Sequence, residues 1–418
     1  MGSVVSERER KKLIMLNKKG ERELAYLVKI DDIQPIVGSD NCESAVIGAW
    51  HIMTRKGTFH IGDIAIYFEI DSLLDTTKEE FAFMSKYKGK VKTQRYTFGG
   101  KGNFISQGLL MHPNDFGWVT VVSESGDKEG VMLASGAIRA VDTEARFLTE
   151  ELGVKYYDPE DEKRKKDPKP KQPELPKFFY VGVGRKMMRI EWLKNIIIKL
   201  FGKKKRKNIW PYWVVKTDEE RVQNIPWIIK EEDEWIQTEK IDGSSATFTM
   251  IRRGRHKFDY YVCSRNVVFE TGKEQCYYDK NIYLEMSEKY QIEAFLKQYL
   301  QFNKDIEWVT IQGEIYGPSV QKRDYSLKER ELAVFNFIDS KNGRWNSARA
   351  AGYLFQFQFV PVLNERFKMP ETVDELLEMA NGNSAIDGKP REGFVFRSLD
   401  GRKSFKVVSN DYLLKYHS

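Results

Sequence analysis

The sequence predicts an α+β protein in two parts: an all-β N-terminal unit, then a larger unit of antiparallel sheets and helices. Three observations predict it. Short apolar runs alternate with turn signals up to about residue 145, strand and helix patterns mix after about residue 209, and between them the periodicity is lost. A length of 418 residues suits two domains of ordinary size. Hydrophobic residues at 41% and charged residues at 31% exclude a wholly disordered chain. The longest apolar neighbourhood, Ile196-Ile197-Ile198, is flanked by Lys194 and Lys199. It falls far short of the ~20 residues of a membrane span, so no membrane association is expected. Cys42, Cys263 and Cys276 share no paired spacing. Neither a disulfide framework nor a thiolate metal site is encoded, and an intracellular, reducing location is expected.

Residues 1–19 read as an extension and 20–150 as the all-β unit. Its strands are the runs Leu24–Ile30, Ser44–Ile52, Ile64–Ile70 and Gly108–Met111, with Thr58-Phe-His-Ile-Gly-Asp63 as the turn that introduces the third. A five-stranded barrel of the OB type fits the size, as does a small sandwich.

The net charge of +7 is a property of one segment. Residues 161–208 carry 17 Lys+Arg against five Asp+Glu, and the rest of the chain carries 51 against 56. Five of the 13 prolines fall between Asp158 and Lys177, which forbids helix or central strand and marks residues 151–208 as a linker. Behind the prolines, Leu193, Ile196, Ile197, Leu200 and Phe201 recur at helical spacing, followed by the cluster Lys203 to Lys207. A solvated helix end and a phosphate-backbone contact both suit that cluster.

From 209 to 418, strands are expected at Ser245–Ile251, Tyr260–Cys263, Glu307–Gly313, Glu331–Ile338 and Gly393–Phe396. One helix is expected over Asn281–Phe302 and another over Val373–Ala380. No βαβ alternation or internal repeat is present.

Chemistry concentrates where charged side chains end these apolar runs. Thr238-Glu-Lys240-Ile-Asp242-Gly243-Ser-Ser245 sets a lysine between a strand and a Gly-Ser turn. There follow Cys263-Ser-Arg265, Ile311-Gln-Gly-Glu314, Val334-Phe335-Asn-Phe337, Arg391-Glu392-Gly-Phe-Val-Phe396 and Ser404-Phe-Lys406. Singly, each residue is an ordinary strand-end charge or core aromatic. The order Lys, Arg, Glu, Phe, Glu, Lys carries the signal.

That order resembles the nucleotidyltransferase superfamily of polynucleotide ligases and mRNA-capping enzymes, matching its motifs I, Ia, III, IIIa, IV and V in turn. Three further segments resemble one RNA-ligase family, in which an OB domain precedes an ATP-grasp-like nucleotidyltransferase domain of antiparallel sheets and helices. They are Asp63–Ser72, Phe104–Leu109 and Lys216–Asn224. DNA ligases and capping enzymes carry a domain after motif V, whereas 12 residues follow Lys406 here, so both are disfavoured.

The resemblance implies an ATP-dependent RNA ligase that joins 3′-hydroxyl and 5′-phosphate ends, at nicks in a duplex, as a monomer. Lys240 would be the nucleophile that takes AMP, with its pKa lowered by Arg265, Lys406 and a divalent ion. Lys406 and Arg265 would contact phosphate, Glu314 the ribose, and Glu392 a magnesium or manganese ion through its water shell. Asp242 and Gly243 would shape the nucleophile's turn, and Glu239 would reach the base. Phe335 and Phe337, placed on one strand face, both suit stacking on adenine, with Phe337 favoured. The family's second motif V lysine is absent, since Val408 stands there, leaving Lys403 or Lys415 as substitutes. A capping guanylyltransferase and a non-catalytic RNA-binding protein remain as alternatives.

Overall fold

The computed structural model describes residues 22–98, 103–117, 119–123, 129–141, 146–157, 187, 193, 210–265, 267–269, 281–345 and 347–416. The N-terminal extension, Cys276, the proline-rich stretch, and the amphipathic run with the Lys203 to Lys207 cluster lie outside the described residues, apart from isolated positions.

The N-terminal unit is built from β1 (Ala25–Lys29), β2 (Asp32–Pro35), β3 (Cys42–Ile47), β4 (Trp50–Arg55), β5 (Ile64–Phe68), β6 (Ser72–Leu73), β7 (Thr93–Thr97), β8 (Asn103–Gln107) and β9 (Leu109–Met111). Antiparallel ladders run β1-β5-β9, β2-β3-β4 and β7-β8. All five residues of β5 are buried because both of its faces are covered. Ile66 and Phe68 join Leu27 and Phe81 in one core, while Ala65 and Tyr67 join Tyr26, Ile52 and Trp50 in another. The run Ser44–Ile52, expected as one strand, is a hairpin. Gly48, at φ +57, and Ala49 form the two-residue turn between the paired Ile47 and Trp50. Beyond lie the sheet of β10 (Val119–Ser123), β11 (Glu129–Leu133) and β12 (Ile138–Ala140), a single-turn helix α1 (Thr149–Leu152), and β13 (Lys155–Tyr156), which pairs with β6.

Two sheets form the C-terminal unit. The strands are β14 (Glu220–Arg221), β15 (Trp235–Lys240), β16 (Ser244–Arg252), β17 (Phe258–Cys263), β18 (Val268–Phe269), β19 (Trp308–Tyr316), β20 (Glu331–Asp339), β21 (Gly343–Arg344), β22 (Gln358–Phe359), β23 (Val362–Phe367), β24 (Gly393–Ser398) and β25 (Ser404–Val408). One sheet runs β14-β25-β24-β15-β23; the other runs β18-β17-β16-β19-β20-β21, with β22 beside β20. Helices α2 (Ile282–Lys289) and α3 (Ile292–Phe302) cover the second sheet, with α4 (Ser347–Tyr353) near its far edge. Helix α5 (Val373–Ala380) covers the first sheet, and α6 (Asn410–Tyr416) ends the described chain.

The single helix expected over Asn281–Phe302 is two helices, broken at Gln291, whose φ is +49. α2 buries Ile282, Tyr283 and Met286; α3 buries Ile292, Leu296, Tyr299 and Leu300. An unbroken helix would rotate the second stripe about a third of a turn away from the first. The break returns both stripes to the same core.

The two units are pinned by a buried polar knot. Asn224 donates from Nδ2 to Glu69 Oε1 at 2.8 Å and to Glu220 Oε1 at 2.8 Å, and accepts from Trp50 Nε1 at 2.7 Å. Arg22 adds an ion pair to Glu69 at 2.7 Å. Val408 and Leu413 from the second unit sit in the same apolar cluster as Tyr26, Trp50 and Tyr67. The first unit is thereby held as one wall of the cleft described next.

Candidate active site

A cleft of about 1120 Å³ opens between the two C-terminal sheets and the N-terminal unit. Lys240 ends β15, where strand alternation puts its side chain on the face shared by Thr238, and both residues line the cleft along with Glu239 between them. The chain then reverses through Asp242 and Gly243 into β16, beside β19. A Cβ on Gly243 would lie 2.2 Å from the Ile315 carbonyl oxygen and 2.9 Å from Glu314 Cγ, so only glycine permits this approach. Asp242 is anchored twice: its N–H donates to the Tyr325 hydroxyl at 2.6 Å, and its Oδ2 accepts from the Tyr412 hydroxyl at 2.8 Å.

Lys240 Nζ lies 2.7 Å from Glu392 Oε1. Burial alone would lower its pKa, but Glu392 and then Glu314 outweigh that and raise it. The expected lowering by Arg265 and Lys406 is not what the structure shows. Both cations turn to Asp218 instead, Arg265 in direct contact and Lys406 at 3.5 Å, so the neighbours that act on Lys240 are carboxylates. Glu314 is half-buried, and its carboxyl is pushed up to about 8, first by the loss of water around it, eased by Lys240 and reinforced by Glu392. The sign of the linkage follows. A folded pKa above the unfolded value near 4.5 means stability falls as pH rises from about 4.5 through 8. Glu314→Gln removes that loss, so its melting temperature exceeds the wild type's by little at pH 5 and by an amount worth about 1–3 kcal/mol at pH 8.5. Thermal unfolding at the two pH values checks it.

Lys406 is lowered to about 8, first by burial, with Asp218 opposing and Arg22, Arg221 and Lys240 adding repulsion. Asp218 is held well below the usual carboxylate range: burial opposes this, but Lys406, Arg265 and Arg22 together outweigh it. One carboxylate among three cations gains more than any one cation gains from it. Asp218, Arg22 and Arg221 were not singled out in the sequence. Asp218 and Arg221 lie within the Lys216–Asn224 segment, which was noted without a role; Arg22 had no signal.

Phe335, not Phe337, lines the cleft. Phe337 is fully buried in the core behind the sheet, edge-on to Tyr299 and Trp345. The register explains the difference. Gln312 pairs with Asn336 but the next residue, Gly313, pairs with Val334, so Phe335 is the extra residue of a β-bulge. Val334 and Phe337 consequently share the core face, and Phe335 faces the cleft with Val360 and Val395. Glu239 lines the cleft, and its carboxylate is engaged by Ser384 Oγ and, at 2.8 Å, by Ala385 N–H, both donating to it. Of the proposed replacements for the second motif V lysine, Lys403 is spent on Glu231 and on Asp233 at 2.8 Å, and Lys415 is not among the lining residues. Glu239, Lys240, Asp242, Gly243, Arg265, Glu314, Phe335, Glu392 and Lys406 are brought together. From the N-terminal unit, Lys90, Lys92 and Tyr156 complete the rim.

Among the described residues, no group of three or more His, Cys, Asp or Glu side chains is arranged to hold a metal, and no helix is long and apolar enough to cross a membrane.

Residues 233–416 match a family model described as RNA ligase, and residues 24–112 match a model of an OB-fold domain. Among solved structures, the chain is similar to Naegleria gruberi RNA ligase with PPi, at 26% identity and a TM-score of 0.66, covering 95% of this chain and 99% of that one. A variant of that ligase with ATP and Mn matches at 25% identity and a TM-score of 0.66, covering 95% and 100%. A second variant, with AMP and Mn, matches at 25% and 0.65, covering 95% and 99%. No curated protein sequence matches the chain. With its site motifs gathered in one cleft, the chain carries an RNA ligase domain over residues 233–416, with an OB-fold domain ahead of it.

Proposed function

We propose that this ligase uses ATP and a divalent ion to join RNA 3′-hydroxyl and 5′-phosphate ends at nicks, through AMP carried on Lys240 and then on the RNA 5′-end. The observation that carries this reading is Lys240 itself. It is a half-buried amine lining the cleft, set 2.7 Å from Glu392, with Lys406 and Arg265 held on Asp218. The ATP and AMP named with the N. gruberi ligase structures support the nucleotide.

Three transfers at phosphorus are required, because a phosphate oxygen leaves poorly until it is capped by AMP. Lys240 attacks the α-phosphorus of ATP and expels pyrophosphate; the RNA 5′-phosphate then takes AMP from Lys240; finally the 3′-hydroxyl displaces AMP. In such transfers the protein contributes mainly position and neutralised charge. Lys406 and Arg265, oriented by Asp218, supply cations for the phosphate oxygens. Glu314, held largely protonated at neutral pH, has a proton to donate to a ribose hydroxyl. Phe335 opposite Val395 and Val360 forms the slot for the adenine ring.

The donor set also fits a magnesium or manganese ion. Glu392 presents hard carboxylate oxygens 2.7 Å from Lys240 and raises it. With no preformed cluster among the described residues, Glu392 would hold the ion together with water and phosphate oxygens. When bound, such an ion offsets phosphate charge and draws Glu392 from Lys240, which favours the free amine.

Phe335 and Phe337 give opposite expected results. Phe335→Ala loses a base stack worth about 1–3 kcal/mol and raises the KM for ATP about tenfold with little change in melting temperature. Phe337→Ala costs about 3–5 kcal/mol of stability. Steady-state kinetics and thermal unfolding on the pair check both.

Sealing of a nicked duplex with each of the four RNA and DNA strand combinations tests the function. Joining should require ATP, a divalent ion and a 5′-phosphate beside the nick. RNA binding without joining would instead favour a non-catalytic protein that retains the fold.

A further inference from the structure

The nucleophile's turn is tied to the far end of the chain. α6 begins behind Ser409, whose N–H donates to the Glu392 carbonyl at 2.8 Å and whose Oγ accepts from Tyr412 N–H at 3.1 Å. Tyr412, fully buried, then reaches Asp242 Oδ2 with its hydroxyl at 2.8 Å. Asp242 stands two residues after Lys240, and its own N–H is already committed to Tyr325. Two phenols from distant parts of the chain therefore fix one carboxylate-bearing residue on both its backbone and its side chain.

The helix that presents Tyr412 is itself held by the OB-fold domain. Gln107 Nε2, at the end of β8, donates to Asn410 Oδ1 at 2.7 Å, and Arg95 of β7 pairs with Asp411 at 2.7 Å. Leu413 packs into the domain's apolar cluster with Tyr26, Trp50 and Tyr67. The path from the β7-β8 hairpin through α6 to Asp242 is continuous. The exposed Arg95 pair contributes little to it; the half-buried Gln107 bond and the Leu413 packing hold the helix.

We propose that Tyr412 is a positioning residue for Lys240, acting through Asp242, and that α6 is the element by which the OB-fold domain sets the nucleophile's turn. The inference rests on Lys240 being the nucleophile. A hydroxyl bonded to a buried carboxylate restrains that carboxylate more strongly than packing alone, and misplacing a nucleophile slows the transfer without weakening nucleotide binding.

The test is single-turnover adenylylation of the full chain with α-labelled ATP and magnesium, comparing wild type, Tyr412→Phe, Asp242→Asn and the double variant, with Lys240→Ala as the unlabelled control. Tyr412→Phe should lower the rate at saturating ATP about tenfold, leave the ATP concentration for half-maximal rate within about twofold, and retain the melting temperature to within a few degrees. In the Asp242→Asn background the same change should have no further effect, because the path is already cut. A wild-type rate in Tyr412→Phe overturns the inference alone. An equal loss in both backgrounds also overturns it, since Tyr412 would then act by packing and not through Asp242. A wild-type chain that takes no label overturns the nucleophile assignment, and this inference with it.

Discussion

Lys240→Ala abolishes ATP-dependent joining of RNA 5′-phosphate ends, by on the order of 10⁴-fold or more, yet still joins RNA whose 5′-end already carries AMP. The split follows from where the amine is needed. It forms the bond to AMP in the first transfer and is the group displaced in the second, whereas in the third the attacking and leaving groups both belong to the substrates. What the third transfer loses is one cation beside Glu392, which amounts to about tenfold. Lys240→Arg behaves like alanine in the first transfer despite retaining the charge, since a guanidinium does not yield a free amine in this pH range. Gel assays with 5′-phosphorylated and pre-adenylylated strands, run side by side, check the split. Loss of both activities would place Lys240 in a charge role shared by all three transfers.

Lys406 gives the second large effect, and its sign depends on pH. Burial lowers its pKa to about 8, with Arg22, Arg221 and Lys240 adding to the shift against Asp218, so its charge is lost as pH rises through about 8. Lys240 is shifted the other way and becomes more reactive as pH rises. The two opposing titrations predict that kcat/KM for ATP climbs with pH and bends over near pH 8 in the wild type. Lys406→Arg keeps its charge, so its profile continues to climb where the wild type bends. Glu314→Gln, which removes the other group that titrates near pH 8, retains the bend. Lys406→Ala loses about 10²–10³-fold at neutral pH, the range for removing one donor aimed at developing phosphate charge. A bend that persists in Lys406→Arg and disappears in Glu314→Gln would assign it to Glu314.

Much of the site was legible because each motif residue stands within or beside a strand whose apolar alternation is itself visible. Lys240, Glu314, Glu392 and Lys406 were found that way, and the sheets bring all four into one cleft. The parts that were not legible depend on register or on distant partners. Phe335 and Phe337 stand two apart and share a face on any regular strand; the bulge that separates them arises from pairing with β19 and leaves no local mark. The break at Gln291 restores a stripe of buried residues, but Asn281 to Phe302 contains neither Gly nor Pro to announce it. The direction of the Lys240 shift was missed because Arg265 and Lys406 were counted as its neighbours without Asp218, which takes up both of them. Tyr412 lies 170 residues from Asp242, beyond the reach of any spacing argument.

The most direct measurement is the site of AMP attachment. The wild-type chain is incubated with ATP and magnesium, digested, and its peptides examined by mass spectrometry. A nucleophilic Lys240 predicts the added mass of one AMP on the peptide that contains it, lost again on incubation with pyrophosphate and absent from Lys240→Ala. AMP on any other residue, or label that persists in Lys240→Ala, would contradict the assignment of Lys240 as the residue that carries the nucleotide.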